Sequence, residues 1–170
     1  MSDDELIKRI CRGDEDAADE LIRRYYPSVL RYCRWRCRDK AAAPDLTQET
    51  FLRLFRSLSC YRKNGKFKAY LFSIANRLCV DENRKIPSYP LENEESRVNG
   101  RDELRRIEDR DEIRSLLDGL PPEQREAVLL RFGERMTYQD IAKATGCNLR
   151  TAQSRVKYAL NAMRKKDRHE

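Results

Sequence analysis

Near the end of the chain, Arg150, Thr151, Gln153, Ser154, Arg155, Lys157 and Tyr158 put hydroxyl, amide, guanidinium and ammonium donors on successive turns of one segment. Short donors of this kind reach base edges, while Arg and Lys hold the phosphate backbone. Arg150 and Arg155 are expected at phosphates, and Gln153, Ser154 and Lys157 at bases. A second set starts in a polar loop with Tyr61, Arg62, Lys63 and Lys66, and continues along the following segment with Ser73, Asn76, Arg77, Arg84 and Lys85. Cations combined with an aromatic ring and small polar groups are what capture of a single strand or an extruded base requires. A third set, Asp45, Gln48, Glu49, Leu52, Arg53 and Arg56, is a charged face with one apolar residue among the charges, which suits a partner surface. Taken singly, each of the three is equally compatible with an ordinary solvated surface.

Catalytic and metal chemistry have little support. Cys33 and Cys37 stand one helical turn apart and could hold two corners of a metal site, but a structural zinc needs four ligands. The single histidine, His169, lies near the end of the sequence. The six cysteines, Cys11, Cys33, Cys37, Cys60, Cys79 and Cys147, are expected to be thiols acting mostly as small apolar groups. No glycine-rich phosphate loop and no nucleophile–base pair is present. No catalytic residue, metal or cofactor is therefore expected, and a redox or metal sensor built on Cys33 and Cys37 stays open as a rival reading.

The elements that must position the three sets are helical. No sustained strand alternation occurs, and apolar residues recur at helical spacing. Ser2 and Glu5 have capping-box spacing, and Gly13 can end the first helix. A second stretch starts near Asp16, with a kink or break expected at Pro27. A third helix runs from about Asp45 to Leu58, with Phe51, Leu54, Phe55 and Leu58 on one side. After the loop 59–66, a fourth has Phe67, Leu71, Ile74, Ala75 and Leu78 together. The segment 86–102, with Pro87, Pro90 and an acidic run at Glu92, Glu94 and Glu95, reads as a flexible acidic linker. Helical pattern then resumes, and Pro121-Pro122 opens a new helix at its first turn. Thr137 and Asn148 can begin two further helices. Gly146, four residues after Ala142, would let these helices approach closely and take the left-handed turn between them, as in a helix-turn-helix. In the last helix Leu149, Ala152, Val156, Leu160 and Met163 form the apolar stripe. The fold class is all-α: two small helical domains, 1–85 and 103–170, joined by the linker.

Charged residues make up 38% of the chain and the net charge is +7, with basic ends flanking an acidic middle. Such ends favour phosphate backbones. No apolar run approaches a membrane span and no signal-peptide pattern is seen, so a cytoplasmic protein without stable membrane insertion is expected.

These motifs, in this order, resemble the extracytoplasmic-function group of sigma-70 RNA polymerase sigma factors. Arg12-Gly13-Asp14-Glu15-Asp16-Ala17 with Tyr25-Tyr26-Pro27 is similar to the opening of the family's region 2. Asp45-Leu46-Thr47-Gln48-Glu49-Thr50-Phe51 resembles its core-binding motif. The stretch Phe67 to Asn76 with Asp81 and Arg84-Lys85 resembles the melting and minus-10 segment. Leu120-Pro121-Pro122-Glu123-Gln124-Arg125 followed by Tyr138-Gln139-Asp140-Ile141-Ala142 resembles region 4. The resemblance implies that Asp45, Gln48, Glu49, Leu52, Arg53 and Arg56 bind core polymerase. It implies that the 59–66 loop and Asn76 hold a flipped base of the minus-10 strand, and that the last helix reads minus-35 DNA. It also implies an anti-sigma partner, a chain that is monomeric when free, and a linker threading the polymerase cleft, although a mere solvated tether would read the same. The family usually has Trp where Tyr70 stands, a second acidic residue where Pro44 stands, Val where Ala152 stands, and Lys or Arg where Gln153 stands. The Gln153 departure points to an altered promoter preference. A stand-alone helix-turn-helix regulator is the alternative, and it leaves the motifs at 45–51 and 67–85 without a purpose.

Overall fold

The computed structural model describes residues 1–62, 64–87 and 107–168, with side chains of 107–112 outside the description. Among the described residues there are helices and no strands. Helix α1 spans Asp3–Ile10, α2 Glu15–Arg36, α3 Ala43–Ser57 and α4 Phe67–Arg84. In the second half, α5 spans Ile107–Asp118, α6 Pro122–Val128, α7 Tyr138–Thr145 and α8 Leu149–Asp167. The proposed linker lies almost wholly outside the described residues, as does Lys63.

Local chemistry sets the helix ends. Ser2 and Glu5 close the capping box on α1, with Ser2 N–H donating to Glu5 Oε2 at 2.8 Å. Gly13, at φ +87°, reverses the chain. The Asp14 carboxylate then caps α2 at Ala17 N–H and accepts from Arg9 Nε at 2.7 Å; that bond, with the cap, lowers its pKa. Helix α2 runs unbroken through Pro27, so of the kink or break expected there the break does not occur. Pro27 and Arg23 are exposed, so the carbonyl that loses its partner can meet water. On the opposite face Leu21, Tyr25, Val29, Tyr32 and Cys33 are buried, and their packing holds the helix together. Pro44 sits in the first turn of α3, where no N–H is missed.

Helices α1 to α4 enclose the first core. Phe67 meets Tyr25 and Tyr61 edge-on, and Phe72 meets Tyr32 at 5.3 Å between ring centres. The buried hydroxyls of Thr47 and Thr50 donate back to Ala43 O and Leu46 O, which leaves no orphan donor there. In the second half α8 packs on α6 and α7. Thr137 and Asp140 form a capping box on α7, and the Asn148 side chain accepts from Thr151 N–H at 2.8 Å to start α8.

The two halves are docked. Helix α7 lies along α4, and α6 touches α2. Leu130, Met136, Ile141, Ala142, Ala144 and Ala152 join the apolar cluster of the first half, and Trp35 of α2 packs on the smaller cluster of Leu117, Leu120, Val128 and Ala159. Polar bonds tie the same seam: Lys68 Nζ donates to Glu134 O at 2.9 Å, and Arg31 pairs with the Glu134 carboxylate at 2.8 Å. Helical periodicity had shown that α7 carries an apolar face. It could not show that α4 would cover part of it.

Candidate nucleic-acid interface

Helix α8 presents its donors outward. Ala152, Val156 and Ala159 are buried, and Arg150, Gln153, Lys157 and Tyr158 are exposed. Thr151, Ser154 and Arg155 are half-buried on the flanks. Two details differ from the sequence expectation. Leu149 is 41% exposed and does not belong to the packed stripe, which Ala159 joins instead. Leu149 is the first residue of the helix, ahead of the turn that packs. The charge of Arg155 helps to lower the pKa of the buried Glu126, against the larger effect of burial.

The glycine turn is also different in kind. Gly146 has φ +70°, and no atom lies within 4 Å of the position a Cβ would take. The left-handed backbone is what requires glycine there, since no close helix approach occurs at that point.

On α3, Asp45, Gln48, Leu52, Arg53 and Arg56 are exposed, with Leu52 at 51%. Glu49 is half-buried and accepts from Arg53 Nε at 2.8 Å. This face is open, and none of the core residues depends on its charges.

The second set is divided. Arg62, Lys66, Arg77, Arg84 and Lys85 are exposed. Tyr61, expected as a stacking platform, is 9% exposed, because its ring packs on Phe67 and on Tyr70 at 5.2 Å. An aromatic beside a polar loop can turn either way, and here the core needed it. Tyr70 keeps its own hydroxyl satisfied by donating to Ser57 Oγ at 2.6 Å, a bond that the family's usual Trp could not make in the same way. The Ser73 hydroxyl donates to Tyr70 O. Asn76 is half-buried; its Oδ1 accepts from Arg36 Nε at 3.4 Å and lies 3.2 Å from Tyr32 Oη, whose single proton goes to Glu126.

Tyr32 and Arg36 were missed from the sequence, as was the group that holds them. Glu126 is the one buried charged residue among the described residues, at 6% exposure. Its carboxylate accepts a short hydrogen bond from Tyr32 Oη and pairs with Arg36 Nε at 3.6 Å. Burial raises the Glu126 pKa, against the lowering effect of Tyr32, Arg36 and Arg155. Burial and the same carboxylate raise the Tyr32 pKa. The only hint in the sequence was an acidic residue heading the apolar run Ala127-Val128-Leu129-Leu130.

Cys33 and Cys37 do not stand alone: with Cys79 they are buried in the core that α2, α3 and α4 enclose. Cys33 and Cys79 are fully buried. Among the described residues no group of three or more His, Cys, Asp or Glu side chains could hold a metal ion.

Two families match the chain in the order the motifs suggested: Sigma-70 region 2 over residues 21–86, and Sigma-70, region 4 over residues 110–163. The chain belongs to the extracytoplasmic-function sigma-70 family of RNA polymerase sigma factors. It is similar to the ECF RNA polymerase sigma factor SigC of Mycobacterium tuberculosis, at 30% identity over 95% of this chain and 91% of that one. It is also similar to the RNA polymerase sigma-H factor of Pseudomonas aeruginosa, at 31% identity over 96% of this chain and 92% of the relative. In fold it resembles CnrH, solved in complex with the cytosolic domain of CnrY, with TM-score 0.70 at 19% identity, covering 99% of this sigma factor and 98% of that chain. No described helix is long and apolar enough to cross a membrane.

Proposed function

We propose that this sigma factor binds core RNA polymerase through the outer face of α3, reads the minus-35 element with the outer face of α8, and uses the 59–66 loop and α4 to capture and open the minus-10 element. The observation that carries this reading is the pairing, in one chain and in family order, of region 2 and region 4, with both outer faces free of structural duty. Asp45, Gln48, Glu49, Leu52, Arg53 and Arg56 form the polymerase surface. Arg150, Gln153, Ser154 and Lys157 carry the DNA contacts of α8, with Thr151 and Tyr158 at its edges. Arg62, Lys63, Lys66, Ser73, Asn76, Arg77, Arg84 and Lys85 serve the minus-10 strand. Residues 1–85 and 103–170 are the two working domains, and 86–102 is the connection that sets their reach. The chain works without catalysis of its own, and an anti-sigma protein is the expected inhibitor, as the sigma factor RpoE of similar fold is solved in complex with the anti-sigma factor NepR from Bartonella quintana. Run-off transcription with core polymerase tests the reading: initiation from defined start sites is expected. DNA binding with no initiation would return the chain to the stand-alone regulator reading.

A further inference from the structure

Region 4 presses two adjacent side chains of α6 into α2. The Glu126 carboxylate lies on Tyr32 Oη and Arg36, with Asn76 Oδ1 bonded to Arg36 Nε and close beside the Tyr32 hydroxyl. Beside it, the Arg125 guanidinium lies over the Trp35 ring, 5.4 Å from its centre. Together with Pro122 and Leu129, these side chains of α2 and α6 line a small open cleft between the halves.

These contacts have the chemistry of a bound nucleotide. An anion sits on a guanidinium and a hydroxyl, as a phosphate would. A flat, delocalised cation covers an indole face, as a stacked base would. Asn76, with its oxygen turned to Arg36, has its amide group left to donate to an acceptor. The loop aromatic, Tyr61, is packed in the core, whereas Trp35 offers a ring face that Arg125 of region 4 covers. We propose that Tyr32, Trp35, Arg36 and Asn76 form a nucleotide seat for the single-stranded minus-10 DNA, with Trp35 as its stacking face and Tyr32 and Arg36 as its phosphate contact. Glu126 and Arg125 of region 4 fill that seat in this docked form, so the strand and region 4 compete for it. The DNA assignment rests on the function proposed above, while the seat and its occupancy do not.

Trp35 is the sole tryptophan, so its emission reports this seat alone. The full chain is titrated with a mixed-sequence single-stranded DNA 12-mer and with the same 12-mer made abasic. Glu126→Ala removes the carboxylate that rests on Tyr32 Oη and Arg36, and with it the contact that fills the phosphate position. It is expected to quench Trp35 with an apparent Kd about 10-fold lower than the parent, because more of the chain is open. The abasic strand should bind without quenching. In the Glu126→Ala background, Arg36→Gln should flatten the slope of log K against log salt by about 0.7, one phosphate contact on a single strand. Tyr32→Phe, which loses one oxygen only, should weaken binding in that background and guards against a misfolded Arg36 variant. Equal affinity for parent and Glu126→Ala, or quenching by the abasic strand, would overturn the proposal. Run-off transcription by the parent, measured in parallel, separates the readings: initiation with no gain in strand affinity sinks the seat alone, and absence of initiation with a clear gain sinks the sigma reading alone.

Discussion

Replacing Gly146 with alanine separates two reasons for a glycine in a helix-turn-helix. If the turn conformation decides, the penalty is that of holding an L-residue at φ +70°. A left-handed conformation costs such a residue about 1–2 kcal/mol. The lower entropy of the unfolded alanine chain returns about 0.4–1 kcal/mol. No steric contribution adds to this, since nothing lies within 4 Å of the new methyl. The net loss should be about 1 kcal/mol, or about 2–4 °C in Tm for a chain of this length. Gly146→Asn should lose less, because asparagine tolerates the left-handed region. Thermal unfolding followed by circular dichroism reads all three proteins. A Tm equal to the parent's for Gly146→Ala would refute the conformational reasoning. A loss beyond about 3 kcal/mol would refute the open space around Gly146 and restore close helix packing as the reason.

Other perturbations test the proposed surfaces. Glu49→Arg breaks one exposed pair with Arg53, worth under about 1 kcal/mol, so unfolding should barely move while pull-down of core polymerase is lost; normal pull-down would remove Glu49 from the interface. Asn76→Ala should reduce permanganate reactivity at the start site more than closed-complex binding, and unchanged reactivity would exclude Asn76 from strand opening. Gln153→Ala should relax base preference at one minus-35 position by about 1–3 kcal/mol, read by selection from a randomised duplex. Docking of the halves should respond to pH through Glu126, which faces Tyr32 and Arg36 of α2, Arg155 of α8 and Glu123 of its own helix. Its pKa is raised in the docked form from an ordinary 4.5, so the docked state binds the extra proton. That contribution is complete below 4.5 and is lost as pH rises through the raised value. Small-angle scattering should show a larger radius of gyration on the neutral side of that range than on the acid side, and a pH-independent radius would disprove the linkage.

Several features of this protein follow from local sequence alone, because their causes are local. The capping residues Ser2, Thr137 and Asn148 start their helices with side chains that need only the next few N–H groups. The apolar spacing of Phe51, Leu54 and Leu58 forces one face of α3 inward and leaves Gln48, Leu52 and Arg56 outside. The all-helical class, the glycine turn before α8 and the order of the motifs that mark the family are of this kind. Pro27 shows where local reasoning stops: its penalty is local, but the buried face from Leu21 to Cys33 outweighs it. Tyr61 and Leu149 show the same limit at element ends, where the core's shape and not the period chooses which side chain is covered. The contacts of Glu126 with Tyr32 and Arg36 join residues about ninety positions apart, and nothing in either segment announces the other. Only the docking of α6 and α7 on the first half brings the carboxylate to the hydroxyl and guanidinium. Burial there raises the proton affinity of Glu126 and makes the junction between the halves a chemical site.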